Sequence, residues 1–249
     1  MAQSLTGSRY ELHVTRQGAA ETKSQDYYKI HSGDMEEADD AGDDIVGHVH
    51  SWEVGSTVDG PGLRFVAFLT GCFLRCQYCH NPDTWHKHNG RPVTVARAMQ
   101  EIKKYAQVLK ISKGGITISG GEPMVQKAFA MQIFKRCKQL GLHTCIDTAG
   151  RLGERMTDED LSYIDLHLLD IKSGDPVIYE QVTRQPLQPT LDYARRLSDL
   201  GRPMWVRYVL VPGLTDGFDN VEKVAEFCAG LKSIERVRGQ FRSRGLTVY

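Results

Sequence analysis

From residue 65 onward the chain of 249 residues alternates short β-rich runs with helical stretches, and that alternation restricts its fold more than any other feature. The β-rich runs are Phe65–Leu69, Gly115–Ser119, His143–Asp147, Leu166–Ile171 and Trp205–Val211. Between them the spacing of apolar residues predicts helices over Val95–Leu109, Gln126–Leu140, Asp158–Ile164, Thr190–Leu200 and Phe218–Leu231. Several end in glycine, which tolerates the left-handed conformation at a helix C-terminus. Such alternation builds βαβ units and a parallel sheet, hence an α/β fold. Periodicity leaves open whether the sheet curls into a partial barrel or lies flat and doubly wound.

Residues 1–44 stand apart. They are polar, poor in aliphatics, and end in the acidic run Asp34 to Asp44. A segment of this kind cannot bury enough apolar surface to offset the entropy of ordering, so a flexible acidic N-terminal tail is expected. Its acidity also sets it apart from a transit peptide. The whole chain carries 31 basic and 31 acidic side chains. That balance leaves no electrostatic footprint for a nucleic acid or an anionic membrane, and no apolar run is long enough to span a bilayer. The chain reads as a soluble protein with neither kind of partner.

The chemistry gathers where the strands end. Directly after the first strand comes Gly71-Cys72-Phe73-Leu74-Arg75-Cys76-Gln77-Tyr78-Cys79-His80-Asn81-Pro82. Crowded thiolates repel one another, so three on a tight loop suit a shared metal centre, and sulfur selects iron–sulfur clusters, zinc or copper(I). A structural zinc site closes with four protein ligands, whereas a centre held by three keeps a position open. Zinc with His80 or a distant cysteine as fourth ligand is one alternative, although neighbours such as Cys79 and His80 rarely reach one tetrahedral ion together. A disulfide is another, against which an odd cluster without a signal peptide points to a reducing compartment. Cys137 and Cys228 fall in helices and read as small core residues, and Cys145 is not read as a ligand.

Later strands end in polar or glycine-rich clusters of their own: Ser119-Gly120-Gly121-Glu122-Pro123, Asp147-Thr148, Asp170-Ile171-Lys172, and Arg207. Active sites of β/α barrels sit on the face at the strands' C-terminal ends, so these clusters would converge there. Gly120 and Gly121 let the backbone approach a ligand closely, and Glu122 could accept hydrogen bonds from an ammonium group. By β alternation Asp147 shares a face with His143 and Cys145, and Asp170 and Lys172 share one with Leu168. Arg207 should face the opposite way from Val206 and Tyr208, and suits a carboxylate. Exposed strand-end charges, an arginine pairing at the surface and a buried aromatic at Tyr78 are the plainer readings.

Asp59-Gly60-Pro61-Gly62-Leu63-Arg64, the run into the cysteine loop, and Cys79-His80-Asn81-Pro82 together resemble the signature of radical S-adenosylmethionine (SAM) enzymes that activate glycyl-radical enzymes. The resemblance implies a partial (β/α)6 barrel whose last unit is incomplete here. It implies a [4Fe–4S] cluster on Cys72, Cys76 and Cys79, with SAM on the open iron. It places SAM beside Tyr78, Cys79, His80, Gly121, Asp170, Ile171, Lys172 and Arg207, and a monovalent cation at Asp147, Thr148 and Asp170. Asp59 would lie near a bound substrate peptide. The implied reaction is reductive cleavage of SAM to a 5′-deoxyadenosyl radical, which takes hydrogen from a glycine of the partner. No cysteine occurs between Cys79 and Gly120, which favours the branch whose partner is pyruvate formate-lyase over activases carrying a ferredoxin-like insert. A flavodoxin or ferredoxin would donate the electron, in the cytoplasm of an anaerobically growing cell.

The resemblance runs from residue 45 to 237, which sets the expected domain. Residues 238–249 show neither strand alternation nor the histidine of the family pattern, and look like a truncated or frame-shifted end. The competing expectations are a truncated, non-catalytic fragment that binds a cluster or a partner without turnover, and an activase of another glycyl-radical enzyme.

Overall fold

The structure is a computed structural model and describes residues 42–241. Most of the expected tail lies outside the described residues; its last three, 42–44, form a turn fixed by an ion pair of 2.9 Å between Asp43 and Arg136.

The strands are β1 (Val46–Ser56), β2 (Arg64–Leu69), β3 (Arg91–Thr94), β4 (Gly115–Gly120), β5 (His143–Thr148), β6 (Leu166–Asp170), β7 (Met204–Leu210) and β8 (Ile234–Phe241). The helices are α1 (Val95–Lys103), α2 (Ala106–Ile111), α3 (Lys127–Gln139), α4 (Asp158–Ser162), α5 (Pro176–Thr183), α6 (Gln188–Asp199) and α7 (Phe218–Ala229). All eight strands form one open sheet in the order β3-β1-β2-β4-β5-β6-β7-β8. From β2 to β8 the pairing is parallel, while β1 runs antiparallel to both β2 and β3. The six parallel strands with their crossover helices are the expected partial (β/α)6 barrel, and the antiparallel pair extends one edge.

Alternation decides the two faces of the sheet. Phe65, Ala67, Ile116, Ile118, Ile146, Leu169, Val206 and Tyr208 point outward into the main core. There they meet Ile102, Phe129, Ile133, Phe134, Leu197 and Val224 from the helices. Each such side chain, fully removed from water, contributes roughly 1.5–3 kcal/mol, which holds the helical layer on the sheet. The inner face carries a small apolar cluster of Cys145, Leu166, Leu168 and Trp205. Polar side chains follow it toward the strands' C-terminal ends.

Two expected elements change. The helix expected over Val95–Leu109 breaks after Lys103, and the break sets the Tyr105 ring against Phe65 at 5.8 Å, a tertiary contact that periodicity does not record. The strand that begins at Ile234 runs to Phe241, so the domain boundary expected at 237 falls inside β8. Pairing from Met204↔Ile234 to Leu210↔Phe241 supplies the order that the side-chain pattern lacks. Cys137 and Cys228 lie in the main core, as expected.

Candidate active site

A cavity of about 330 Å³ opens at the C-terminal ends of the parallel strands. Cys72, Cys76, Tyr78, Cys79, His80, Gly121, Asp147, Thr148, Asp170, Lys172 and Arg207 all line it, so the structure brings these expected site residues together. Ile171 departs from the expectation. Its side chain is 1% exposed in the main core, because alternation turns it away from the face that carries Asp170 and Lys172.

The cysteine loop is held by its backbone. Gly71 and Cys72 donate to the carbonyls of Thr84 and Trp85 at 2.7 and 3.0 Å, and Arg75 and Gln77 donate to those of Thr183 and Val182 at 2.8 and 3.0 Å. The Arg75 guanidinium donates to the Cys72 and Leu74 carbonyls and lies 5.1 Å from the centroid of Trp85. Cys72, Cys76 and Cys79 form one cluster around Leu74 and Ala149. Burial pushes the Cys72 thiol up to about 12 and Cys76 to about 11.

Gly120 and Gly121 allow a close approach, but to the chain itself. Gly120 has φ +106°, and a Cβ there would lie 2.2 Å from the Leu69 carbonyl oxygen; one on Gly121 would lie 2.4 Å from that of Gly71. Gly121 and Glu122 donate backbone hydrogen bonds to Leu69 and Gly71, both at 2.8 Å. This stitches the end of β4 to the start of the cysteine loop. Glu122 is 1% exposed and already accepts from the Thr148 hydroxyl (2.7 Å) and from the backbone of Met124 and Ala149 (3.2 and 3.1 Å). Burial, outweighing these donors, pushes its carboxyl up to about 7.

Opposite lies a charge network. Arg207 reaches two carboxylates, donating from Nη2 to Asp147 and from Nε to Asp170 at 2.9 Å. Lys172 pairs with Asp170 at 2.7 Å, and Ser119 donates to Asp147 at 2.7 Å. Burial would raise Asp170, but Arg207 and Lys172 outweigh it and hold the carboxyl at about 2. Burial would lower Lys172, and Asp170 instead holds its ammonium pKa well above the usual value. The expected match of Arg207 to a carboxylate is met by the protein's own acids. Thr148 turns its hydroxyl to Glu122, leaving the guanidinium between Asp147 and Asp170.

Ser119, from the strand-end cluster expected at this face, also lines the cavity, as do Val209 and Gln240, which were not expected there. Ser119 was legible as a polar residue alternating with Ile118 at a strand end. Gln240 was not, because it belongs to the stretch that shows no strand pattern in sequence.

Among the described residues no three Cys, His, Asp or Glu side chains converge as a single metal ion requires. A four-iron cluster needs its thiolates spread around a larger body, and the three cysteines bordering an open cavity fit that demand. In the same cavity the buried Tyr78 hydroxyl has no hydrogen-bond partner among the described residues. An orphaned donor beside charged groups marks a place for a polar ligand.

A profile described as the Radical SAM superfamily matches residues 66–228, the class of protein that this barrel and cysteine loop define. The chain is 46% identical over 199 residues to the pyruvate formate-lyase-activating enzyme of Staphylococcus epidermidis, covering 77% of this chain and 79% of that protein. It is 40% identical over 195 residues to the pyruvate formate-lyase 1-activating enzyme of Escherichia coli K12, covering 78% and 79%. It belongs to the radical SAM superfamily and, within it, to the family of pyruvate formate-lyase-activating enzymes. Among solved structures, Streptococcus suis SuiB bound to precursor peptide SuiA superposes with a TM-score of 0.57 at 16% identity, over 77% of this chain and 42% of that one. That likeness concerns the fold alone. Membership makes the chain a radical SAM enzyme, with a [4Fe–4S] cluster and SAM as its cofactors.

Proposed function

We propose that this chain activates a pyruvate formate-lyase by generating a glycyl radical on it. The observation that carries the reading is the convergence of the three cysteines, Gly121, Asp170, Lys172 and Arg207 on one cavity. Cys72, Cys76 and Cys79 would hold the cluster. When bound, the cluster and SAM supply one-electron cleavage to methionine and a 5′-deoxyadenosyl radical, which takes a hydrogen atom from a glycine Cα of the partner.

The chain's own groups bind and orient. Lys172, kept charged, suits a carboxylate, and Asp170, kept ionised, suits an ammonium. Gly121 and Ile171 would serve through their backbone, since Gly121 has no side chain and that of Ile171 faces the core. Tyr78 and His80 would pack beside the nucleoside, with the orphaned Tyr78 hydroxyl as a polar handle. Arg207 would guide the SAM carboxylate side through its grip on Asp170. The resemblance also assigns a monovalent cation to Asp147, Thr148 and Asp170. Occupancy of that place requires the Arg207 guanidinium to leave it. Asp59, at the cavity's edge, would meet the substrate peptide.

A flavodoxin or ferredoxin would supply the electron, and the half-exposed Phe73 brings an edge of the cysteine loop to the surface for it. All six cysteines are free, which suits the cytoplasm. No helix among the described residues is long and apolar enough to cross a membrane.

Electron paramagnetic resonance of the anaerobically reconstituted, reduced protein tests the reading. A cluster signal that shifts on adding SAM, followed by a glycyl-radical doublet on added pyruvate formate-lyase, is the expected result. A cluster signal indifferent to SAM, with no 5′-deoxyadenosine formed, would replace the activase with a cluster-binding protein that does not turn over.

A further inference from the structure

Asn220 is 3% exposed at the start of α7, yet all its bonding capacity is directed at two loops on the cavity side of the barrel. Its Oδ1 lies 2.8 Å from the Ser173 hydroxyl and accepts from the backbone of Gly174 and Asp175 at 2.8 and 3.0 Å. These three residues directly follow Lys172. Its Nδ2 donates to the Tyr208 hydroxyl at 2.8 Å and to the Thr215 carbonyl at 3.3 Å. Tyr208 immediately follows Arg207 in β7. Thr215 closes the same loop, accepting from the Val211 backbone at 2.8 Å and donating to the Val209 carbonyl at 2.6 Å. One amide thus joins the segment after Asp170 and Lys172 to the strand that carries Arg207.

The contact leaves no slack. A Cβ on Gly174 would lie 2.8 Å from Lys223 Cβ and 2.9 Å from the Asn220 carbonyl oxygen, so the turn after β6 sits directly on the first turns of α7. Asp175 is fixed twice more, capping α5 through Val177 and Ile178 and pairing with Lys223 at 2.6 Å. A buried amide whose donors and acceptors are all satisfied specifies one arrangement of its partners, because each alternative leaves a polar group unpaired.

We infer that Asn220 is a positioning residue for SAM: it sets the distance between the Lys172 and Arg207 sides of the cavity without touching the ligand. The inference rests on the functional reading given above. Neither the cysteine loop nor the Gly120–Gly121 seam bonds to Asn220, and the loop keeps its own backbone bonds to Thr84, Trp85, Val182 and Thr183, so the loss acts on SAM binding ahead of the cluster.

The test is equilibrium binding of SAM to the reconstituted holoenzyme, alongside iron and sulfide content and the cluster's spectrum without SAM. Asn220→Ala raises the SAM Kd about tenfold with cluster content and the SAM-free spectrum unchanged. Tyr208→Phe, which keeps the ring in the core, weakens binding about two- to threefold. Because both act through one amide, the double variant binds no worse than Asn220→Ala alone. If Asn220→Ala does not fold, Tyr208→Phe and Ser173→Ala carry the test with the same expected direction. Variants that lower the melting temperature yet bind SAM as the wild type does would overturn the inference and make Asn220 a fold residue only. A wild type that loads its cluster and fails to bind SAM would take down the functional reading itself.

Discussion

The two ends of the barrel treat buried charge in opposite ways. At the C-terminal end Asp147, Asp170, Lys172 and Arg207 pair with one another around open space. At the N-terminal end Arg64 is 0% exposed and held by neutral groups: the Thr117 hydroxyl at 2.9 Å, the carbonyls of Pro61, Ile116 and His143, and the His143 ring. Burial lowers its pKa from the usual guanidinium value. At the cavity a ligand's charges can replace one partner of an ion pair with another, so binding is an exchange. At the N-terminal floor the guanidinium ties the Pro61 carbonyl of the loop Asp59–Gly62 to β4 and β5, while Asp59 itself reaches the cavity. The same Thr117 hydroxyl donates to the Asp59 carbonyl at 2.6 Å. The comparison teaches that a buried charge marks function where it borders a cavity and architecture where its partners leave no volume between them.

Breaking each end should have a different signature. The largest effect falls on the cavity end: Cys76→Ala abolishes the cluster, with iron and sulfide content near zero while the circular dichroism of the fold persists. Retained iron and sulfide in that variant would overturn the cysteine assignment. At the floor, Arg64→Met leaves the Thr117 hydroxyl and several carbonyls without their donor and destabilises by about 2–5 kcal/mol, each buried polar group left unpaired costing about 1–3 kcal/mol. Urea unfolding measures it, and iron bound by the folded fraction stays stoichiometric. A loss below about 1 kcal/mol would show that the floor closes without its cation.

Acid should weaken the lower half of the barrel. His143, against Arg64, and the fully buried His167 are both lowered to about 4, first by burial. The unfolded chain takes up its protons near the ordinary value of 6.5, before the folded one does. The stabilising contribution is therefore complete above pH 6.5 and is lost progressively as pH falls toward 4. For His167 alone the slope approaches about 1.4 kcal/mol per pH unit within that window. Unfolding curves at pH 7, 6 and 5 measure it, and His167→Gln should flatten the trend.

The smallest effect sharpens the comparison at the residue after Thr183, whose carbonyl holds the cysteine loop. Arg184 takes the left-handed conformation at the end of α5, with φ 60°. Arg184→Gly should raise stability by about 0.5–1 kcal/mol in thermal unfolding, with SAM affinity unchanged.

The cavity was legible because residues of these types seldom collect at strand ends unless they do chemistry. Three cysteines share a loop, Asp170 and Lys172 share a face, and Arg207 interrupts an apolar strand. The floor was not legible. Arg64 stands in sequence as one charge before an apolar run, and only the pairing of β2 with β4 and of β4 with β5 reveals that its neighbours there are Thr117 and His143. The antiparallel strand β1 was hidden by its half-exposed, polar composition, although Gly47 is spared a side chain only because the Phe129 ring occupies the space a Cβ would need. Helix α5 carried a readable start, with Asp175 as cap and Pro176 in the first turn, but is too short for a periodic signal. Strand β8 takes its order from a neighbouring strand, which no local pattern records.

The stitch between Gly120–Gly121 and Leu69–Gly71 has a mechanical meaning. Side chains at an interface act as springs, since rotamers yield before backbones do. Here two main chains press on each other with no side chain between them, so the cysteine loop and the end of β4 share one backbone seam. Even a methyl group at Gly121 would act as a wedge driven into that joint, since its carbon would lie 2.4 Å from the Gly71 carbonyl oxygen.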